Sequence, residues 1–184
     1  MHNFNFRSLF IALAVTLPMA ASAPAFAASK ADLESSSKAA LNQLVSQNPG
    51  AKALNAKAVA VLVFPKVTKA GLGVGGQFGE GVLWRKGKAA GYFNTAGASY
   101  GLQAGAQQFG YAMFFMNQKA LDSLSSTQGF EVGVGPSVVV MDEGKAKNIT
   151  SGTLTEDIYA FIFSQKGLMA GLGIQGNKIT RIEK

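Results

Sequence analysis

The sequence predicts a single α+β domain, built on a strongly curved, largely antiparallel and barrel-like β-sheet with an N-terminal helix and a short inserted helix. One helical segment opens the domain, and many short apolar, β-branched runs separated by turn residues follow it. Glycine recurs at alternate positions inside these runs, a pattern typical of bent or closely packed strands. No linker or second domain interrupts the sequence.

The first 27 residues have the pattern of a secretory signal peptide, which we exclude from the fold. Arg7 supplies a positive start, residues 9–17 form a short apolar run, and Ala25, Phe26 and Ala27 form an A-x-A cleavage site. We therefore expect residues 28–184 to form the domain, in a periplasmic or secreted protein. The sequence contains no Cys, so the exported domain must fold without disulfides.

Residues 29–50 are predicted to form the N-terminal helix. Ser29 can cap it, Asp32 follows at capping-box spacing, and the run Asn48, Pro49 and Gly50 ends it. Its apolar stripe is thin and rich in alanine, so we expect the helix to pack on the domain. Contact of this helix with a membrane surface is the alternative. Residues 51–57 are compatible with one further helical turn.

The remaining elements are predicted in order along the chain. The run "AVAVLVF" is a first strand, residues 70–86 form two strands or one bent strand, and Arg85 to Lys88 form a hairpin tip. Residues 89–117 continue the sheet, and residues 118–126 form the short helix. Residues 130–141 are predicted as one strand bent by Gly-Pro. Closing strands follow, with turns at residues 165–167 and 175–178.

Alternate glycines need a separate explanation, because Gly71, Gly73 and Gly76 spell the nucleotide-binding pattern G-x-G-x-x-G. That pattern requires a following helix and an acidic residue about 20 positions on, and the sequence has neither. We expect a structural role instead, since residues two apart point to one face of a strand. We expect bends or close packing at four groups of glycines that each share a face: Gly71, Gly73 and Gly75; Gly79 and Gly81; Gly133 and Gly135; and Gly171 and Gly173. A glycine-lined ligand groove is the alternative.

Most familiar catalytic chemistry is excluded by composition. The single histidine is His2, inside the predicted signal peptide, and cysteine is absent. The expected mature chain therefore lacks Ser-His-Asp and Cys-His catalysis and the usual zinc ligand sets. The adjacent carboxylates Asp142 and Glu143, and Glu156 and Asp157, are typical of exposed turns. We expect a protein that is not an enzyme and has no cofactor or metal.

Four segments together resemble one known family. They are "KAVAVLVFPKVTKAGLGVGGQFGEGVL", "AGASYGLQAGAQ", "GPSVVV" and "FSQKGLMAGLGIQG". In this order they closely resemble the SYLF domain, over most of residues 33–182. The resemblance implies phospholipid binding, with phosphoinositides as the usual eukaryotic ligand. It also implies actin binding in eukaryotic members, which we do not expect of a bacterial exported member.

Basic residues at predicted turns provide the candidate binding site. The chain has a net charge of +7, which falls to +6 without Arg7, so an anionic partner is expected. We predict that turns at one end of the sheet form a positive rim for anionic lipid head groups, with an aromatic side chain as apolar contact. The predicted lipid-binding residues are Lys66, Lys69, Trp84, Arg85, Lys86 and Lys88.

The same charges would also suit a soluble periplasmic module that binds a protein or a glycan, and the sequence leaves this alternative open. Nucleic acid is not an expected partner, because the predicted compartment and the lack of an interleaved aromatic and basic motif argue against it.

Overall fold

The computed structural model describes residues 28–125, 129–141, 155–167 and 176–184. The predicted signal peptide, the carboxylate pair Asp142 and Glu143, and Gly171 and Gly173 lie outside these residues. The helices are α1 (Lys30–Gln47), α2 (Pro49–Lys57) and α3 (Gln118–Asp122). The strands are β1 (Ala60–Arg85), β2 (Lys88–Phe115), β3 (Phe130–Glu131), β4 (Val138–Met141), β5 (Ile158–Gly167) and β6 (Lys178–Ile182). The predicted α+β class with a strongly curled sheet is confirmed.

Two N-cap residues, Ser29 and Asn48, set the starting points of the two N-terminal helices. The Ser29 hydroxyl accepts a hydrogen bond from the Asp32 amide at 3.2 Å, so α1 begins where the sequence predicted. The Asn48 side chain accepts from the Ala51 amide at 3.0 Å, and Pro49 occupies the first position of α2. The same three residues that end α1 therefore start a second helix, which is longer than the single turn expected.

A long antiparallel hairpin forms the body of the sheet. β1 and β2 pair from Ala60 opposite Phe115 to Arg85 opposite Lys88. The two turn residues have positive φ, 50° at Lys86 and 76° at Gly87, as a type I′ hairpin turn requires. The predicted hairpin tip is therefore confirmed.

The second edge of β2 is shared by two other strands. β6 pairs with residues 92–96 of β2, and β5 pairs with residues 107–115. β3 extends the sheet beyond β6 in an antiparallel sense, and β4 lies parallel to β5. Among the described strands, four of the five pairings are antiparallel, as predicted.

A sharp bend divides β1, so the second of the two predicted arrangements, one bent strand, is the correct one. A Cβ added at Gly71 would lie 2.4 Å from the Gly75 Cα atom, so the backbone turns too tightly there for a side chain. The pairing with β2 continues through the bend. β2 takes four residue steps, from Tyr100 to Ala104, opposite two steps of β1, from Leu72 to Val74.

After the bend, β1 approaches its own first half. A Cβ at Gly79 would lie 2.7 Å from Val67 Cγ2, and one at Gly81 would lie 2.6 Å from the Val63 carbonyl oxygen. No side chain fits at these distances, so the structural role predicted for these two glycines is confirmed. The sheet thereby curls round on itself and encloses an interior.

Each face of the sheet carries its own core. The interior core joins both halves of β1 to β2, α3 and β5, with the Phe64 and Tyr111 rings stacked at 4.6 Å. The outer core lies under α1 and α2. Its buried members are Leu44, Ala51, Leu54, Val61, Val63, Ala112, Phe114, Met141, Tyr159 and Phe161.

Three predicted features of the chain are wrong. Lys66 and Lys69 lie within β1 and not at a turn, because Pro65, which has no N–H, falls at a bulge and the ladder continues past it. No turn occurs at residues 165–167, since Lys166 pairs with Gln108 and extends β5. Residues 130–141 form two short strands, because Gly133 and Gly135 adopt positive φ in the loop between them.

Asp157 joins three elements at the end of β2. Its carboxylate accepts hydrogen bonds from the Asn117 side chain at 2.8 Å and from the Ser137 amide at 3.2 Å. Asn117 in turn caps α3 through the Ala120 amide. These hydrogen bonds hold the pKa of the Asp157 carboxyl below its usual range, and the one from Asn117 has the largest effect.

The close approach within β1 predicts opposite effects for two glycine substitutions. In Gly81→Ala the new Cβ meets the Val63 carbonyl and the Phe64 ring, and we expect a loss of about 1–3 kcal/mol in the free energy of unfolding. In Gly76→Ala the nearest atom is 3.7 Å away, so stability should hold or rise slightly. Urea denaturation measures both. Equal stability of the two variants would contradict the close approach.

The position of Asp157 predicts a pH dependence of stability. Because its pKa is lower in the folded protein, the stabilisation is present above the unfolded value near 3.9 and is lost as pH falls through the folded value. Asp157→Asn should have a lower melting temperature at pH 6, and a smaller further decrease between pH 5 and pH 3 than the wild type. Thermal unfolding monitored by circular dichroism at each pH tests this. If the melting temperatures of the two proteins fall equally between pH 5 and pH 3, the hydrogen bonds of Asp157 do not stabilise the fold in this way.

Candidate functional site

A pocket of about 440 Å³ lies beside the hairpin tip, and we call it the tip pocket. Helix α1 forms one wall, the beginning of β1 forms the floor and the hairpin tip forms the opposite wall. Its polar and aromatic lining consists of Lys38, Asn42, Asn55, Trp84, Arg85 and Lys86. The volume falls within the range of small-molecule pockets in proteins.

The lining of the tip pocket is electrostatically one-sided. Among the described residues that line it, three side chains are cationic, namely Lys38, Arg85 and Lys86, and none is a carboxylate. The salt bridge found in the described part of the chain joins Glu80 and Lys184, which do not line this pocket. The described lining residues therefore do not neutralise the positive charge of the pocket, and this uncompensated charge favours an anionic occupant.

Hydrogen bonds position two of the lining residues. The Arg85 guanidinium donates from Nη2 to the Gln118 side-chain oxygen at 3.0 Å, which ties the hairpin tip to α3. The Trp84 indole N–H donates to the Ser37 hydroxyl at 2.9 Å. That hydroxyl is fully buried and donates to the Val63 carbonyl at 3.4 Å. Trp84 is therefore fixed to both α1 and β1.

Trp84 also contacts a cation of the pocket. The Lys38 ammonium lies 5.9 Å from the centre of the Trp84 ring, within the range of cation–π attraction. The other side of the ring packs on the outer core. The structure thus makes Trp84 a half-buried wall of the pocket.

The six residues predicted to bind lipid fall in three places. Trp84, Arg85 and Lys86 line the tip pocket, and Lys88 pairs with Arg85 in the adjoining ladder. Lys66 is exposed at the β1 bulge, on another surface. Lys69 is 5% exposed and points into the interior, on the same face of β1 as Val67. Four of the six lie together, and two lie apart.

Sequence reasoning missed Lys38, the third cation of the tip pocket. It lies on α1, far along the chain from the hairpin, and no spacing pattern connects the two. The available signal was its helical position next to Leu41, on the stripe predicted to pack on the domain. A charged residue at the edge of that stripe must lie near whatever the helix covers.

A second cavity, the helix groove, lies on the opposite flank of α1 and has a volume of about 810 Å³. It is mostly apolar, with Lys66 at its edge and the Phe78 side chain 51% exposed beside it. Its other apolar lining includes Leu33, Ala39, Ala40, Pro65 and Phe163, and the Glu80 carboxylate also lines it. α1 therefore separates a basic pocket from an apolar groove.

Two further kinds of feature are absent from the described residues. No group of three or more acidic, histidine or cysteine side chains there could hold a metal ion. Within those residues, none of the helices has the length and apolar character needed to cross a membrane.

Comparison with known proteins adds one match. The family model described as "Ysc84: Las17-binding protein actin regulator" matches residues 96–184, the part of the chain that runs from β2 to the C-terminus. A search of curated proteins gave no match. The matched part includes the segments "AGASYGLQAGAQ", "GPSVVV" and "FSQKGLMAGLGIQG", and the family model over residues 96–184 is that of the SYLF family that the sequence resembles.

Proposed function

We propose that this protein is a non-enzymatic phospholipid-binding protein of the bacterial envelope, which binds anionic lipid head groups reversibly at the tip pocket. The observation that carries the proposal is the lining of that pocket, whose described residues include three cations and no carboxylate. The family match over residues 96–184 supports a binding module in general terms. The signal-peptide pattern supports an exported, periplasmic location, which remains part of the proposal.

The chemistry of the pocket suits a phosphodiester. Arg85 can donate two parallel hydrogen bonds to phosphate oxygens, and the ammonium groups of Lys38 and Lys86 add point charges. The Asn42 and Asn55 amides can donate to and accept from the polar remainder of a head group. Trp84 contributes an aromatic wall at the same level as the cations.

The expected affinity is modest. Each basic residue near an anionic surface contributes about 1 kcal/mol, so the three cations together contribute about 3 kcal/mol, or roughly two decades in binding constant. Salt screens such interactions over a distance of about 8 Å at physiological ionic strength. Binding should therefore be reversible and sensitive to salt.

The helix groove offers a place for apolar contact with the same membrane. Its exposed Phe78 and its apolar walls can take up a lipid chain, while Lys66 lies at the edge where a phosphate would sit. Because the groove and the tip pocket flank one helix, an α1 that lies on a membrane surface presents both to lipid.

The family description names a Las17-binding actin regulator. We do not extend that activity to this chain, because the proposed compartment contains no actin. A protein or glycan partner remains the rival proposal, and vesicle binding distinguishes it from a lipid partner.

Reversing two charges of the tip pocket should weaken binding to anionic vesicles. For Arg85→Glu with Lys86→Glu we expect a loss of about 2 kcal/mol, or roughly thirty-fold, in affinity for phosphatidylglycerol vesicles. Co-sedimentation at low salt measures it, with phosphatidylcholine vesicles as the neutral comparison.

The matched control is Lys178→Glu with Arg181→Glu, which changes the net charge equally at two exposed residues of β6. Lys86→Asn is a second pocket variant, and it keeps the turn because asparagine suits positive φ. If the β6 variant and the pocket variants lose binding equally, the tip pocket is not the site. If the wild type binds neither kind of vesicle, the lipid proposal fails.

A further inference from the structure

Six polar side chains are buried in the interior of the curled sheet, and we call them the interior polar cluster. Each is at most 6% exposed to solvent. Its members are Lys69, Gln77, Thr95, Gln107, Tyr111 and Asn177. An interior is normally filled by apolar residues, so a group of this size needs an explanation.

Strand alternation places five of the six on the face that bears the interior core, and Asn177 lies directly before β6. Lys69 is two residues from Val67, Thr95 is two from Phe93, and Asn177 is two from Ile179. Likewise Gln107 is two residues from Phe109, and Tyr111 belongs to the core itself. Gln77 precedes Gly79 by two residues on the same strand.

The curl of β1 brings the cluster together. Gly81 lies against Val63 and Phe64, and Gly79 lies against Lys66 and Val67. Two residues further along each half of β1, the same approach brings Gln77 towards Lys69. Lys69 is in turn the register partner of Gln107 in β2. The members from both halves of β1 thus converge next to the bend.

Two further contacts complete the cluster. A Cβ added at Gly97 would lie 2.1 Å from the Asn177 side-chain oxygen and 3.5 Å from Gln77 Cγ, so these two side chains meet over Gly97. Burial raises the pKa of the Tyr111 hydroxyl, and an interaction with the neighbouring Thr95 hydroxyl opposes that rise, although the two groups do not meet hydrogen-bond geometry. The six side chains therefore form one group.

Five atoms of this group have no hydrogen-bond partner among the described residues. They are Gln77 Oε1, Thr95 Oγ1, Gln107 Oε1, Tyr111 Oη and Asn177 Nδ2. A buried polar atom that loses water without replacement destabilises the fold. Five such atoms in one interior need hydrogen bonds that the described residues do not supply, and a bound group can supply them.

The identity of the five atoms restricts that group. Two amide oxygens can only accept, so the missing partner must donate hydrogen bonds; one amide nitrogen can only donate, so the partner must also accept. The Thr95 and Tyr111 hydroxyls do either. A phosphodiester accepts hydrogen bonds but does not donate them, whereas hydroxyl groups do both.

We propose that the interior polar cluster is a binding site for a small polyhydroxylated group, a glycerol or sugar moiety that is either free or part of a lipid head group. The site is distinct from the tip pocket, with which it shares no residue. It does not rest on the function proposed for that pocket, and each can fail without the other.

Two nearly isosteric substitutions test the site. Thr95→Val and Gln107→Met remove one unpartnered atom each and keep the side-chain volume. We expect each substitution to lower the affinity for the polyol at least ten-fold. Both should also raise the melting temperature of the ligand-free protein, because an unsatisfied buried atom has been removed. A residue needed only for folding would lower the melting temperature instead.

Binding is measured by saturation-transfer NMR on the purified protein with glycerol, glucose, dihexanoyl phosphatidylglycerol and inorganic phosphate as separate probes. Saturable binding of glycerol or glucose that both variants lose supports a free polyol. Saturable binding of the phosphatidylglycerol probe alone, lost in both interior variants, supports a lipid source. Arg85→Glu with Lys86→Glu serves as the control, and a free polyol should bind that variant as it binds the wild type.

Three results would overturn the proposal. The first is the absence of saturable binding to any hydroxylated probe, which would leave ordered water as the partner of the cluster. The second is binding of inorganic phosphate alone, which would make the site an anion site. The third is polyol binding that persists in both interior variants, which would place the ligand elsewhere.

Discussion

The approach of β1 to its own first half is the constraint on which the rest of the molecule depends. Where Gly79 and Gly81 face residues 63–67, backbone lies against backbone with no space for a Cβ atom. This contact turns a long hairpin into a curled sheet with an interior. It also carries the hairpin tip back to the place where α1 packs on β1. The interior polar cluster and the tip pocket are therefore two results of one bend, the first enclosed by it and the second at the end of the strand that returns from it.

Helix α1 packs on the curled sheet and supplies one wall of the tip pocket. The buried Ser37 hydroxyl accepts from Trp84 and donates to the Val63 carbonyl, so one side chain connects the helix, the returning half of β1 and its first half. Lys38, the next residue, then faces the hairpin cations across the tip pocket. Because the pocket is assembled from three segments, its charge depends on the fold as well as on the basic run at the hairpin tip. The apolar helix groove on the other flank of α1 results from the same packing.

The sequence predicted the features that depend on local chemistry. Ser29 and Asp32 located the start of α1, the Arg85 to Lys88 run located the hairpin tip, and the alternate glycines indicated close packing. It did not predict features that depend on distant contacts. Pro65 and Lys66 resemble a turn, but pairing with β2 absorbs them as a bulge. Lys69 resembles an exposed lysine, but the direction of its side chain is fixed only once that bulge sets the register. Lys38 could join the site only through the packing of α1, which no spacing in the chain encodes.

The most direct test of the account uses Trp84, the sole tryptophan of the protein, which lines the tip pocket. Its fluorescence is titrated with phosphatidylglycerol vesicles and with phosphatidylcholine vesicles, each at low and at high salt. The account predicts a saturable change in Trp84 emission with the anionic vesicles alone, reversed by salt, because lipid phosphate enters beside the ring and displaces water. Unchanged Trp84 emission under conditions in which the protein co-sediments with anionic vesicles would place the lipid elsewhere and contradict the central claim.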